Sequence, residues 1–283
     1  MSADNELRGL IGAMLRREFL QLSAATVAAA VSAEALGAPE GESGAERNTQ
    51  QTVCVLGASG HVGGAIVSEL LTAGHRVVAI SRSGDKLRRI QADHAGVKEL
   101  NTLLGDVSSD AAAAQLRIAI TSRFGNPRAI VSSLSSPAAD APMRILDTPT
   151  DKLRGAFDTN FFSHVTAAVA LIPSLQPGGI YIGISGGLSD FLVPNRGAIS
   201  MTQSALRTLY SVLAHESQDA KARGSEAQVR MLALYGLVAA DEGAAKDDGW
   251  IVGRQIGVRV REIIARPAAF PGPLLAIKAK RYS

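Results

Sequence analysis

The 283-residue sequence holds one cysteine, Cys54, which excludes an internal disulfide. No cysteine and histidine cluster has the spacing of a zinc site, so no metal is expected. Aromatic residues make up only 4% and are not interleaved with a dense Lys/Arg block, so no nucleic-acid partner is expected. Charge of one sign is also scarce: 29 basic against 26 acidic residues leave a net +3. Long apolar runs are missing. The most apolar early stretch, Leu20 to Ala38, is alanine-rich and contains Glu34, which makes it a poor membrane-spanning helix.

What is present is aliphatic. Hydrophobic residues reach 46%, mostly Ala, Val, Leu and Ile, which suits a parallel sheet covered by helices on both faces. The length fits one α/β domain with an appendage.

The appendage is N-terminal. Arg16-Arg17-Glu18-Phe19-Leu20-Gln21 precedes a mild apolar run to Val31 and small residues ending at Ala33, Ala35 or Ala38. This order resembles the twin-arginine export signal, with Gln21 where that pattern has Lys. The reading places a signal peptide at 1–38, a flexible Gly/Glu/Ser-rich linker at 39–51 and the domain at 52–283. Met14 lies just upstream of the arginine pair and is an alternative start. The expected location is periplasmic or extracellular, or cytoplasmic if the segment is only a tail that carries two arginines.

Thr52-Val53-Cys54-Val55-Leu56 reads as a buried strand, followed by Gly57-Ala58-Ser59-Gly60-His61-Val62-Gly63-Gly64 and a helical pattern from Ala65 to Leu71. Gly57 allows the sharp reversal, Gly60 leaves space for a pyrophosphate, and Gly63 lets helix and sheet approach. The N–H groups of the first helical turn, at His61, Val62 and Gly63, then face the phosphate, with Ser59 beside them. A tight strand-to-helix turn without a ligand is the alternative.

A second strand, Arg76 to Ile80, ends in Ser81-Arg82-Ser83. An acid near this point would hold the ribose hydroxyls of NAD(H). Arg82 can instead pair with a 2′-phosphate, helped by Ser81 or Ser83, so NADP(H) is favoured over NAD(H). A third strand, Val97 to Leu104, leads to Gly105-Asp106-Val107. Asp106 either accepts from the adenine amino group, with Val107 beside it, or caps a turn.

With these residues the chain resembles the short-chain dehydrogenase/reductase family, from about Thr52 to at least Ala240. The resemblance implies a single doubly wound α/β Rossmann domain with a mostly parallel sheet of about seven strands. The glycine spacing is nearer the extended or atypical branch. Arg128 to Leu134 takes the place of the fourth strand, without the family's Asn-Asn-Ala-Gly. Asn160, in Phe157-Asp158-Thr159-Asn160-Phe161-Phe162, matches the Asn that supports a proton-relay water; a buried polar residue holding backbone groups fits equally. Ser185, ending the strand from Gly178, stands at the catalytic serine position or one residue from it, as a substrate-orienting hydroxyl or a loop cap.

The family's Tyr-x-x-x-Lys pair would put two functional groups on one helical face. Here those positions are Ile199 and Gln203, and no Tyr-x-x-x-Lys occurs anywhere in the sequence. Ile199 has no proton to give and Gln203 no charge to lower a pKa, a loss worth about 10²–10⁴-fold in rate. Tyr235-Gly236 stands where the family has Pro-Gly beside the nicotinamide, so Tyr235 is either a substitute donor or a packing ring. Ala240 to Gly249 reads as a polar substrate loop, Ile251 to Ala265 as a helix and Lys278 to Arg281 as a solvated tail. Two readings therefore stand. One is an NADP(H)-dependent reductase of an unknown small carbonyl compound with altered proton transfer. The other is a non-catalytic nucleotide-binding sensor or partner-binding module. The resemblance also implies a homo-oligomer.

Overall fold

The computed structural model describes residues 51–135, 142–221, 227–240 and 243–283. The expected signal segment and all of the expected linker except Gln51 lie outside the described residues. From Thr52 the chain alternates strand and helix: β1 (Thr52–Leu56), α1 (His61–Thr72), β2 (Arg76–Ser81), α2 (Gly84–Asp93), β3 (Leu100–Leu104), α3 (Asp110–Phe124) and β4 (Ala129–Ser132). The second half runs through α4 (Thr150–Phe157), a π turn (Asp158–Phe162), α5 (Ser163–Leu171), β5 (Ile180–Gly186), α6 (Gly197–Lys221) and β6 (Gln228–Tyr235). A short parallel pair, β7 (Leu237–Ala239) and β8 (Trp250–Val252), precedes α7 (Gly253–Ala265) and β9 (Leu274–Lys278).

The main sheet has the order β3-β2-β1-β4-β5-β6-β9, all parallel. Every residue of β1 is buried, and alternation divides it between two cores. Val53 and Val55 join Ile66 and Leu70 of α1 and Ile256 and Val260 of α7; Cys54 and Leu56 join Leu116 and Ile120 of α3 and Leu171 of α5. Burying one such aliphatic side chain contributes about 1.5–3 kcal/mol. β1 sits between β2 and β4, so the order reverses there and opens a crevice at the carboxyl ends of β1 and β4.

Helix ends follow local chemistry. The hydroxyls of Ser83 and Ser109 accept from Lys86 N and Ala112 N and so cap α2 and α3. Gly74, at φ +79°, carries the chain out of α1. α1 and α7 pack closely because Gly257 has no side chain: a Cβ there would lie 2.6 Å from Glu69 Cβ.

The seventh strand is β9, which corrects the expected solvated tail. Lys278 pairs with Tyr235 in register, Ala279 is buried, and Arg281 forms ion pairs with Asp247 and Asp248 at 3.3 and 2.9 Å. The third strand starts at Leu100 rather than Val97.

Candidate functional site

The three glycines of the first turn have different reasons to be glycine. Gly57 adopts φ +70°, and a Cβ there would lie 2.0 Å from the Ser133 carbonyl oxygen. A Cβ on Gly63 would lie 2.2 Å from Gly57 O. Both are demanded by the protein's own packing. Gly60 is not: its φ is −85°, and the nearest atom to a Cβ there is 3.4 Å away. Gly60 is the N-cap of α1, and no side chain caps that end, so the first-turn N–H groups are left without a side-chain partner.

Around this turn the expected residues converge. Ser59 Oγ and Ser81 Oγ are 3.0 Å apart, joining the turn to the end of β2. Ser81 Oγ also accepts from Ser83 N at 3.3 Å, while Ser83 Oγ is committed to the helix cap. Arg82 is exposed beside them, and its charge acts on Asp106 at the end of β3. Asp106 Oδ1 accepts from Val107 N at 2.8 Å and Ser108 N at 3.1 Å, and Oδ2 accepts from Ser108 Oγ. Burial alone would raise its pKa; the Ser108 and Val107 hydrogen bonds and Arg82 outweigh it and hold the carboxyl below its ordinary value. The carboxylate and the Val107 N–H are thus paired with each other within the turn.

At the carboxyl end of β5 the arrangement is different. Ser185 Oγ is buried without a hydrogen-bond partner. Its neighbour Gly186 is covered by Gln203 of α6: a Cβ on Gly186 would lie 2.3 Å from Gln203 Nε2. Gln203 Oε1 accepts from Leu188 N at 2.8 Å, which fixes the amide in that place. Ile199 is partly buried one turn earlier on α6. Asn160 lies in the π turn, 5% exposed, and that turn packs against α6. Such an insertion in a helix often marks a functional position.

Tyr235, at the end of β6, lies on the adjacent Gly187, where a Cβ would be 2.5 Å from its ring. Its hydroxyl donates to Asp190 Oδ2, and Asp190 is paired with Arg207 at 2.9 Å. Burial and then the Asp190 carboxylate raise the Tyr235 pKa, opposite to what an acid catalyst at neutral pH needs. Its position therefore favours the ring that packs and ties loops over the substitute donor.

Sequence reasoning missed a fourth group. His164, four residues beyond Asn160, is completely buried, and its Nε2 lies 2.9 Å from Leu134 O. Its Nδ1 is 2.8 Å from Tyr210 Oη and 3.3 Å from Ser132 Oγ. Burial pushes its pKa down to about 4, so the ring is neutral at ordinary pH. The signal available was spacing alone: Asn160 and His164 are i, i+4, hence on one helical face.

The family model described as enoyl-(acyl carrier protein) reductase matches residues 57–224, more than half of the chain. The chain belongs to the short-chain dehydrogenase/reductase family. It is 28% identical over 129 residues to the 1-deoxy-11-beta-hydroxypentalenate dehydrogenase of Streptomyces avermitilis, covering 45% of this chain and 47% of that protein. It is 26% identical over 139 residues to the NADPH-dependent pterin aldehyde reductase of Arabidopsis thaliana, covering 48% and 57%. The matched segments thus span about half the length of these curated relatives. Among solved structures, an NADPH-bound short-chain oxidoreductase of Pseudomonas aeruginosa, described as containing an atypical catalytic center, superposes with a TM-score of 0.68. At 16% identity, over 80% of this chain and 95% of that one, the likeness concerns the fold.

In this short-chain dehydrogenase/reductase fold the expected residues fall into two groups. Gly57, Ser59, Gly60, His61, Val62 and Gly63 lie in and just after the turn between β1 and α1, joined by Ser81 and Arg82 at the end of β2, with Asp106 and Val107 after β3. Ser185, Gln203 and Ile199 gather at the ends of β5 and α6, and Asn160 lies on the packed π turn. Among the described residues no cluster of three metal-ligating side chains is present.

Proposed function

We propose that the chain binds NADP(H) in preference to NAD(H) and reduces a small carbonyl compound without a tyrosine–lysine pair. The observation that carries this reading is Gly60. The protein's own packing does not require a glycine there, since a Cβ would meet only Gly57 O at 3.4 Å, directly at the start of α1, with Ser59, Ser81 and the exposed Arg82 alongside. The residues present therefore fit a dinucleotide whose pyrophosphate meets the helix N-terminus and whose 2′-phosphate meets Arg82. The relative named as NADPH-dependent and the NADPH-bound structural neighbour agree with that preference.

When bound, the reduced nucleotide supplies the hydride. This chain's part is to orient the substrate oxygen at the end of β5, where Gln203 Nε2 is a neutral donor. The proton for the nascent alkoxide comes from water, held near Asn160 and Ser185, so turnover falls by about 10²–10⁴-fold relative to a positioned acid. We assign export by the twin-arginine route to the Arg16-Arg17 segment; secretion lost on replacing both arginines by lysine is the expected result.

A second reading, a nucleotide-binding protein without chemistry, is favoured by one observation. The Gln203 amide is anchored through its oxygen to Leu188 N, and the Tyr235 hydroxyl is spent on Asp190, so neither is placed as a proton-donating acid. Titrating the full chain with NADPH and NADH tests the nucleotide reading, and tight NADPH with weak NADH binding is expected. A screen of aldehydes and ketones for NADPH oxidation then separates the two: turnover of any member supports the reductase, and none supports the binding protein.

A further inference from the structure

The segment after β4 forms one wall of the nucleotide crevice. Ser133 N donates to Leu56 O at 3.1 Å, and the Ser133 carbonyl closes against Gly57 so tightly that no side chain fits there. The next carbonyl, Leu134 O, cannot be held by a strand partner, because β4 has ended at Ser132. It is held by His164 Nε2 at 2.9 Å.

A carbonyl oxygen only accepts, so the proton of the neutral ring sits on Nε2. Nδ1 is then an acceptor, and Tyr210 donates to it at 2.8 Å. Tyr210 is fixed in turn. It is fully buried, stacked on Tyr181 with ring centroids 6.3 Å apart, and wedged over β5, where a Cβ on Gly183 would be 1.9 Å from its Cζ. It also sits seven residues beyond Gln203 on α6, hence on nearly the same helical face. One imidazole thus connects the wall of the crevice to the helix that carries Gln203.

We infer that His164 is a positioning residue for the nicotinamide half of the nucleotide, through its hydrogen bond to the Leu134 carbonyl. In a doubly wound sheet the dinucleotide lies across the switch point. Its adenosine half falls on the β2 and β3 side, with Arg82, and its nicotinamide half on the β4 and β5 side, beside Ser133 and Leu134. The inference rests on the nucleotide reading above. It adds that the two halves of the ligand depend on different residues, and that the link to Leu134 is needed for only one of them.

The test compares His164→Gln, whose amide N–H₂ reaches the place of Nε2, with His164→Met, of similar reach and without a donor. Both full-length variants are titrated with NADPH and with 2′,5′-ADP, which carries only the adenosine half. His164→Met should bind NADPH about tenfold more weakly than wild type, the size of one lost hydrogen bond, with 2′,5′-ADP unchanged; His164→Gln should recover most of the loss. Equal losses for both ligands, or no recovery with Gln, would overturn the inference and leave His164 a core residue. If either variant does not fold, nitrogen-15 spectra of histidine-labelled wild type decide. The His164 Nε2–H signal should move with NADPH and stay with 2′,5′-ADP, and a signal indifferent to both ligands would overturn it. Wild type that binds neither ligand would instead refute the nucleotide reading itself.

Discussion

The crevice around β1 and β2 and the platform at the ends of β5 and β6 are built on opposite plans. In the first, the Gly60 position keeps ordinary van der Waals room, with nothing closer than 3.4 Å, and Arg82 is exposed, although Ser59, Ser81 and Asp106 are paired within the site. In the second, space is filled and polar groups turn inward. Gln203 occupies the room above Gly186 and Tyr235 that above Gly187, and the Gln203 carbonyl oxygen and the Tyr235 hydroxyl are held by partners within the protein. A site that keeps free donors and free volume is ready for a ligand at little reorganisation cost, whereas the second platform must exchange internal bonds for new ones. The two regions share one sheet, so the difference lies in their side chains and not in the fold.

The sharpest way to break this comparison is inside the glycine turn. Gly57→Ala should cost about 3 kcal/mol of stability and abolish NADPH binding, because positive φ and a backbone clash coincide. Gly60→Ser, a good helix cap, should leave stability within about 0.5 kcal/mol yet weaken NADPH about a hundredfold. Denaturant unfolding and titration on both variants check this. A Gly60→Ser protein with native affinity would mean that the open space is not a ligand site.

The next effect concerns acid. Unfolded, His164 takes up a proton near its ordinary pKa of 6.5; folded, it refuses one until about 4. Between those values the unfolded state holds more protons, so stability present above pH 6.5 is lost as pH falls. The loss attributable to this group reaches about 3 kcal/mol by pH 4. Unfolding titrations across that window should show the slope in wild type and lack its His164 component in His164→Gln. An identical slope in both proteins would assign it to other groups.

Arg82→Ala should reduce NADPH affinity by about 10- to 100-fold and leave NADH unchanged, as expected for one charge-assisted phosphate contact. Parallel losses for the two nucleotides would move the 2′-phosphate away from Arg82. The smallest effect belongs to the other platform. Tyr235→Phe removes the bond to Asp190, whose partner Arg207 is 42% exposed, and should change stability by less than about 1 kcal/mol. Thermal melts of the single variant and of Tyr235→Phe with Asp190→Asn would register a larger, coupled contribution if the pairing organises the loops.

Legibility in the sequence divides along the same line. β1, the glycine turn and β2 were readable because their signals are local: a five-residue apolar run, fixed glycine offsets, and an arginine at a strand end. The platform was not, since its pairings join residues far apart. Asp190 meets Tyr235 across 45 positions and His164 meets Tyr210 across 46, distances at which periodicity carries no information. The π turn escaped for a subtler reason: it keeps the helical pattern of Phe157, Phe161 and Ala156 while adding a residue to the turn. β9 was hidden because none of its five residues is buried at the edge of the sheet, so Leu274–Lys278 resembles an ordinary chain end.

The pairing of β7 with β8 gives the molecule an optical property. Trp250 opens β8 opposite Leu237, two residues beyond Tyr235, and it is the single tryptophan of the chain. Ultraviolet emission excited in the indole band therefore comes from one address, the first residue of β8. A shift in its colour when a carbonyl compound is added reports the surroundings of β8 without a label.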